Sequence, residues 1–91
     1  IDVTNSGPAT INNNTVIGVV DNGIILTGSA LANVNGNTVT GAGTDGINVS
    51  NVLDLNVNNN SITGVGDDGI DVSTSAPANI NGNNIIGAFD N

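Results

Sequence analysis

The side chains with the most chemical reach in this sequence are its eight aspartates, which carry the whole formal charge of −8. Five of them, Asp21, Asp45, Asp67, Asp68 and Asp90, recur at the same point of a repeating pattern, in the settings Asp21-Asn22-Gly23, Asp45-Gly46, Asp67-Asp68-Gly69 and Asp90-Asn91. Carboxylates stacked about 5 Å apart repel one another, and a hard cation relieves the repulsion. Calcium is the cofactor this corner suggests, because it takes carboxylate and carbonyl oxygens, although nothing in the chain requires a cofactor. Two neighbouring carboxyls can also divide the roles of general acid and water-activating base. The plainer role for Asp-Gly and Asn-Gly is to form a turn while the charge keeps the surface soluble.

The missing residue types remove most other chemistry. There is no Lys, Arg, His, Cys, Met, Trp or Tyr. A chain without Cys or His has no disulfide, no ordinary zinc site, no imidazole base and no thiol nucleophile. Without Lys or Arg it has nothing to neutralise phosphates, which argues against nucleic acid and against anionic membrane surfaces as partners. No apolar run approaches the length of a membrane span. Asn is the commonest residue at 19 of 91, beside 13 Gly and 2 Pro, and these types oppose helix interiors.

What must position the aspartates is an internal repeat. Gly23, Gly46 and Gly69 stand 23 residues apart, as do Ile1, Ile24, Ile47 and Ile70. In that phase the chain divides without a gap into rungs 1–22, 23–45, 46–68 and 69–91 of a single segment. Further apolar columns are Val3, Leu26, Val49, Val72; Ile11, Val34, Val57, Ile80; and Val16, Val39, Ile62, Ile85. Polar columns are Asn12, Asn35, Asn58, Asn81 and Asn14, Asn37, Asn60, Asn83. Within each rung apolar residues alternate with polar ones over three short stretches, as in Ile47-Asn48-Val49, Leu55-Asn56-Val57 and Ser61-Ile62-Thr63. Turn-forming Asn, Gly, Asp and Pro separate the stretches. Each stretch is too short to stand alone, so the pattern predicts an all-β solenoid with three short strands per rung and backbone bonds between rungs. Rungs about 4.8 Å apart would stack to roughly 19 Å.

The run Asn37-Thr38-Val39-Thr40-Gly41-Ala42-Gly43-Thr44-Asp45-Gly46-Ile47-Asn48-Val49 resembles the repeat of right-handed parallel β-helix proteins, which include pectate lyases, polygalacturonases, tailspikes and many bacterial surface proteins. The resemblance covers all four rungs and implies a right-handed parallel β-helix. It also implies that Asn14, Asn37, Asn60 and Asn83 form an inward ladder at the bend between the second and third strands. Thr44-Asp45-Gly46 beside Gly66-Asp67-Asp68-Gly69 is similar to the paired-aspartate arrangement of polygalacturonases. Carried over, Asp45 and the Asp67-Asp68 pair would be the acid and base of an inverting hydrolase. Those enzymes also place a His and an Arg/Lys motif in the cleft, and this chain has neither residue type. The fold hosts enzymes, adhesins and inert stalks alike.

Two further sets of residues invite function. Thr38 and Thr40, with Ser61 and Thr63, form a flat array of the kind used by ice-binding solenoids, but Ile17 and Ile86 interrupt it in the outer rungs. Ordinary β-propensity of Thr explains the pattern as well. Asn13, Asn48 and Asn59 open N-x-S/T sequons, which matter only in a secreted, glycosylating setting. The repeat runs in register from Ile1 to Asn91 without a polar cap, which predicts a continuing array, within a longer chain or between copies. Taken together, the residues point to a non-enzymatic structural repeat of an extracellular or cell-surface filament, stalk or adhesin that assembles end to end. A carbohydrate-binding or degenerate hydrolase module is the first alternative, and an ice-binding solenoid the second.

Overall fold

The structure is a computed structural model in which residues 1–89 are described. Twelve short strands are found there and no helix. They group by position in the repeat. The first sheet holds β1 (Asp2–Thr4), β4 (Ile24–Thr27), β7 (Ile47–Ser50) and β10 (Ile70–Ser73). The second holds β2 (Ala9–Asn12), β5 (Ala32–Asn35), β8 (Leu55–Asn58) and β11 (Ala78–Asn81). The third holds β3 (Thr15–Ile17), β6 (Thr38–Thr40), β9 (Ser61–Thr63) and β12 (Asn84–Ile86). Every pairing is parallel, and each residue lies opposite its equivalent 23 positions away, as in Val34 with Val57 and Ile62 with Ile85. This is a β-solenoid of four stacked coils of about 23 residues, three strands to a coil, as the periodicity predicts.

The alternation decides which way each side chain faces. In β5 and β8 buried and half-buried residues alternate, so Ala32, Val34, Leu55 and Val57 turn inward while Asn33, Asn35, Asn56 and Asn58 face out. The interior is a stack of aliphatic layers: Ile24, Leu26, Val34, Val39, Ile47, Val49, Leu55, Val57 and Ile62 have no exposed surface at all. Sequence columns alone miss some of this core. Val19, Ala42, Val65 and Ala88 form a small-residue column behind the corner, with Ala42 and Val65 buried. Ser6, Ser29, Val52 and Ser75 form another, with Ser6 and Ser29 hydroxyls 2.9 Å apart and the Val52 N–H donating to Ser75 Oγ at 3.1 Å.

The end rungs correct the expected core. Ile1 and Ile80 are each 44% exposed and Ile85 40%, and Val3, Val16, Ile70 and Val72 are only half-buried. Each has a covering rung on one side only, whereas Ile24, Val57 and Ile62 are covered on both. Burial in a solenoid is supplied by the neighbours, not by the rung itself.

The bends between strands use left-handed backbone. Asn13, Gly36, Asn59 and Gly82, which follow the second strand of each rung, have φ of 59°, 67°, 58° and 66°. Asn tolerates this region and Gly enters it freely. A Cβ on Gly36 would lie 2.5 Å from Asn13 Oδ1, and one on Gly82 2.6 Å from Asn59 Oδ1. The Asn side chain of one rung therefore occupies the space above it and dictates Gly in the next.

Candidate functional site

The acidic corner falls into two columns, which sequence phase alone shows and the expectation of stacked carboxylates overlooks. One is Asp21, Thr44, Asp67; the other is Asn22, Asp45, Asp68. Thr44 thus separates two of the carboxylates, and its hydroxyl donates to Asp21 Oδ1 at 3.1 Å and to Asn22 Oδ1. In the second column Asn22 Oδ1 accepts the Asp45 N–H at 2.9 Å, and Asp45 Oδ1 accepts the Asp68 N–H at 3.1 Å. Asp45 is 7% exposed, and its Oδ2 accepts from Asn48 Nδ2 at 2.7 Å. Asn48 Nδ2 also reaches Asp71 Oδ2 at 3.3 Å. The Asp45 carboxylate is therefore engaged in holding the corner of the rung above. The repulsion expected of a bare carboxylate stack is largely replaced by N–H donors, because interleaved Thr and Asn stand where further charges would sit.

Among the described residues no three carboxylates gather closely enough to hold a metal ion. Asp21 and Asp67 are exposed, Asp68 is half-buried, and Asp90 lies outside the described residues. No cavity opens among the described residues beside Asp45 or elsewhere.

A second polar feature runs through the interior. Asn37 and Asn60 have no exposed surface, and Asn14 and Asn83 are half-buried. All four sit at the bend between the second and third strand of their rung. Asn37 Oδ1 accepts from the N–H and Nδ2 of Asn14 at 2.9 and 3.1 Å. Asn60 Oδ1 accepts likewise from Asn37 at 2.8 and 3.0 Å, and Asn83 Oδ1 from Asn60 at 2.9 Å twice. The remaining Nδ2 hydrogen of Asn37 goes to the Ile11 carbonyl at 2.7 Å, that of Asn60 to Val34 at 2.8 Å, and that of Asn83 to Val57 at 2.8 Å. Among the described residues no buried side-chain polar atom lacks a partner.

The outward face of the second sheet is an amide surface. Asn56 Nδ2 donates to Asn33 Oδ1, and Asn79 Nδ2 to Asn56 Oδ1, each at 3.1 Å. Beside them Asn12, Asn35 and Asn58 accept, through Oδ1, the N–H of the equivalent Asn one rung up at 3.3, 3.1 and 3.0 Å. The signal was present in the Asn12 column, whose regularity was visible but whose bonding to the adjacent rung was not. The third sheet presents Thr15, Thr38 and Thr40 as exposed residues, with Ser61 and Thr63 half-buried and Ile17 71% and Ile86 56% exposed. Of the sequon residues, Asn13 and Asn59 are exposed at left-handed bends, while Asn48 is half-buried with its amide nitrogen on two carboxylates.

The side-chain hydrogen bonds thus have one common geometry. Most join residues 22, 23 or 26 positions apart, that is, adjacent rungs. Among known proteins, the family description "right-handed beta helix region" matches this chain over residues 1–91. Comparison with curated proteins and with solved structures returned no match.

Proposed function

We propose that this chain, which belongs to the right-handed β-helix family, is a structural repeat of an extended solenoid (a stalk, filament or adhesin shaft) whose rungs continue end to end, without catalysis of its own. The observation that carries this reading is the direction of its polar chemistry. Asn37, Asn60, Asn22 and Asp45 each bond to the next rung, so the buried polar groups of the ladder and the corner serve stacking. The outer strands of each sheet, β1, β2 and β3 at one end and β10, β11 and β12 at the other, have one ladder unpaired. Such strand edges pair readily with further strands.

Composition supports an extracellular or surface setting for this reading. A chain without Lys or Arg offers trypsin-like proteases no site, and it needs no disulfide because each added rung enlarges the core.

Negative-stain electron microscopy of the purified chain tests the reading. Filaments or rods far longer than four rungs support it, and particles that stay the size of one copy at every concentration reject it. Release of reducing sugar from polygalacturonate, lost in Asp67→Asn, would instead establish the hydrolase alternative.

A further inference from the structure

We propose that copies of this chain add in one orientation only, the rung carrying Asn83 receiving the rung carrying Asn14 of a second copy. This polarity presupposes the end-to-end stacking proposed above and adds to it a direction and a phase.

The direction is written in the buried asparagines. In all three rung junctions the lower Asn gives its backbone N–H and one Nδ2 hydrogen to the Oδ1 of the Asn above. At Asn37, Asn60 and Asn83 the second Nδ2 hydrogen points down, to a carbonyl 26 residues back. The column is therefore a donor at its Asn83 end and an acceptor at its Asn14 end. A second copy placed above supplies Asn14 Oδ1 to the Asn83 N–H and Nδ2, and its own Asn14 Nδ2 reaches the Ile80 carbonyl. Two Asn83 ends brought together would oppose donors, and two Asn14 ends would oppose acceptors.

The backbone bonds between rungs run both up and down, and they fix the register of an added rung, not its polarity. At the left-handed bend of each rung the N–H donates to the carbonyl 22 residues ahead, one rung up: Asn13 to Asn35, Gly36 to Asn58 and Asn59 to Asn81. Gly82 is the next donor in this series, and the Asn12 carbonyl of a second copy is its acceptor.

The phase is set by the same bends. Asn13 Oδ1 fills the space above it that Gly36 leaves open, and Asn59 does the same to Gly82. Asn59 in turn sits above Gly36. Adding Asn13 of a second copy above Gly82 repeats that junction, so the alternation of Asn and Gly runs on unbroken. The added rung would also cover Ile80 and Ile85, whose equivalents Val57 and Ile62 have no exposed surface. An interface of this kind is heterologous and open, and it generates a filament rather than a closed dimer.

Two blocked variants test the polarity. Ile80→Asp places a charge on the upper face and Ile1→Asp on the lower, each at a side chain already 44% exposed. Far-UV circular dichroism confirms that each retains its β signal; Ile85→Asp and Val3→Asp replace either one that does not. Sedimentation velocity should find each variant monomeric alone and a 1:1 mixture forming a heterodimer that grows no further. Unmodified protein should form filaments under the same conditions. If the unmodified chain remains monomeric, stacking itself fails. If it assembles but either variant dimerises alone, or the mixture stays monomeric, stacking stands and its polarity is wrong.

Discussion

Asn37 Nδ2 donates to Asn60 Oδ1 at 3.0 Å with both side chains wholly excluded from water. Through this contact a polar residue becomes part of the core. Removing the Asn60 side chain would strip Oδ1 from the N–H and Nδ2 of Asn37 and leave the Val34 carbonyl without its amide donor. Each buried group left unsatisfied costs about 1–3 kcal/mol. Asn60→Ala is therefore expected to destabilise the fold by on the order of 3 kcal/mol, read from the midpoint of urea unfolding. Asn79→Ala, on the exposed face, should stay within about 0.5 kcal/mol. Similar losses at the two positions would mean that the buried amides do not hold the rungs together.

The glycines of the corner carry a different constraint. A Cβ on Gly43 would lie on top of the Val20 carbonyl oxygen, and one on Gly66 on that of Gly43, because the chain crosses directly over itself at this point. Overpacking against fixed backbone costs about 1–3 kcal/mol. Gly43→Ala is expected to lose that much in urea unfolding, while Gly64→Ala, with no atom within 4 Å of its Cβ, loses less and only through its φ of 65°. A loss at Gly43 no larger than that at Gly64 would show that the close approach to the Val20 carbonyl does not fix glycine at residue 43.

These two cases mark how far the sequence can be read. The 23-residue register, the three strands per rung and the facing of Val34, Val57 and Ile62 follow from strict repetition, since side-chain period and rung period are both local. The burial of Ile80 and Ile85 does not, because it depends on what lies above them. The corner was legible as a turn, yet the pairing of Asn22 Oδ1 with the Asp45 N–H was not. Nothing in an Asp-Asn-Gly string says whether a carboxylate points to water or to the rung above. The Asn/Gly alternation at residues 13, 36, 59 and 82 spans two rungs and escapes a search that compares single ones.

The corner yields a prediction that separates a structural role from a catalytic one. Asn22 already performs, with an amide oxygen, the acceptance that Asp45 performs with a carboxylate one rung up. Asp45→Asn keeps Oδ1 for the Asp68 N–H, but it turns an amide nitrogen toward Asn48 Nδ2, which then has Asp71 Oδ2 as its acceptor. This variant should lose about 1 kcal/mol, the worth of the one hydrogen bond given up, and filament formation should persist. Asp45→Ala leaves the Asp68 N–H and Asn48 Nδ2 without their acceptor and should cost about 1–3 kcal/mol. An Asn variant as destabilised as the Ala variant would show that the acceptor for the Asp68 N–H is not what Asp45 contributes to the corner.

Charge also governs how copies meet. Each carries −8 with no Lys, Arg or His, so long-range repulsion opposes stacking while short-range pairing favours it. The Debye length falls from about 30 Å at 0.01 M salt to about 8 Å at 0.15 M, which removes most of the first effect and little of the second. Light scattering should therefore show the concentration needed for assembly falling several-fold across that range. Sodium chloride and calcium chloride matched for ionic strength should act to the same degree, because no three carboxylates gather into a metal site among the described residues. A melting temperature raised by millimolar calcium and restored by chelator, with neither effect in Asp45→Asn, would instead place a specific cation at the Asp45 corner.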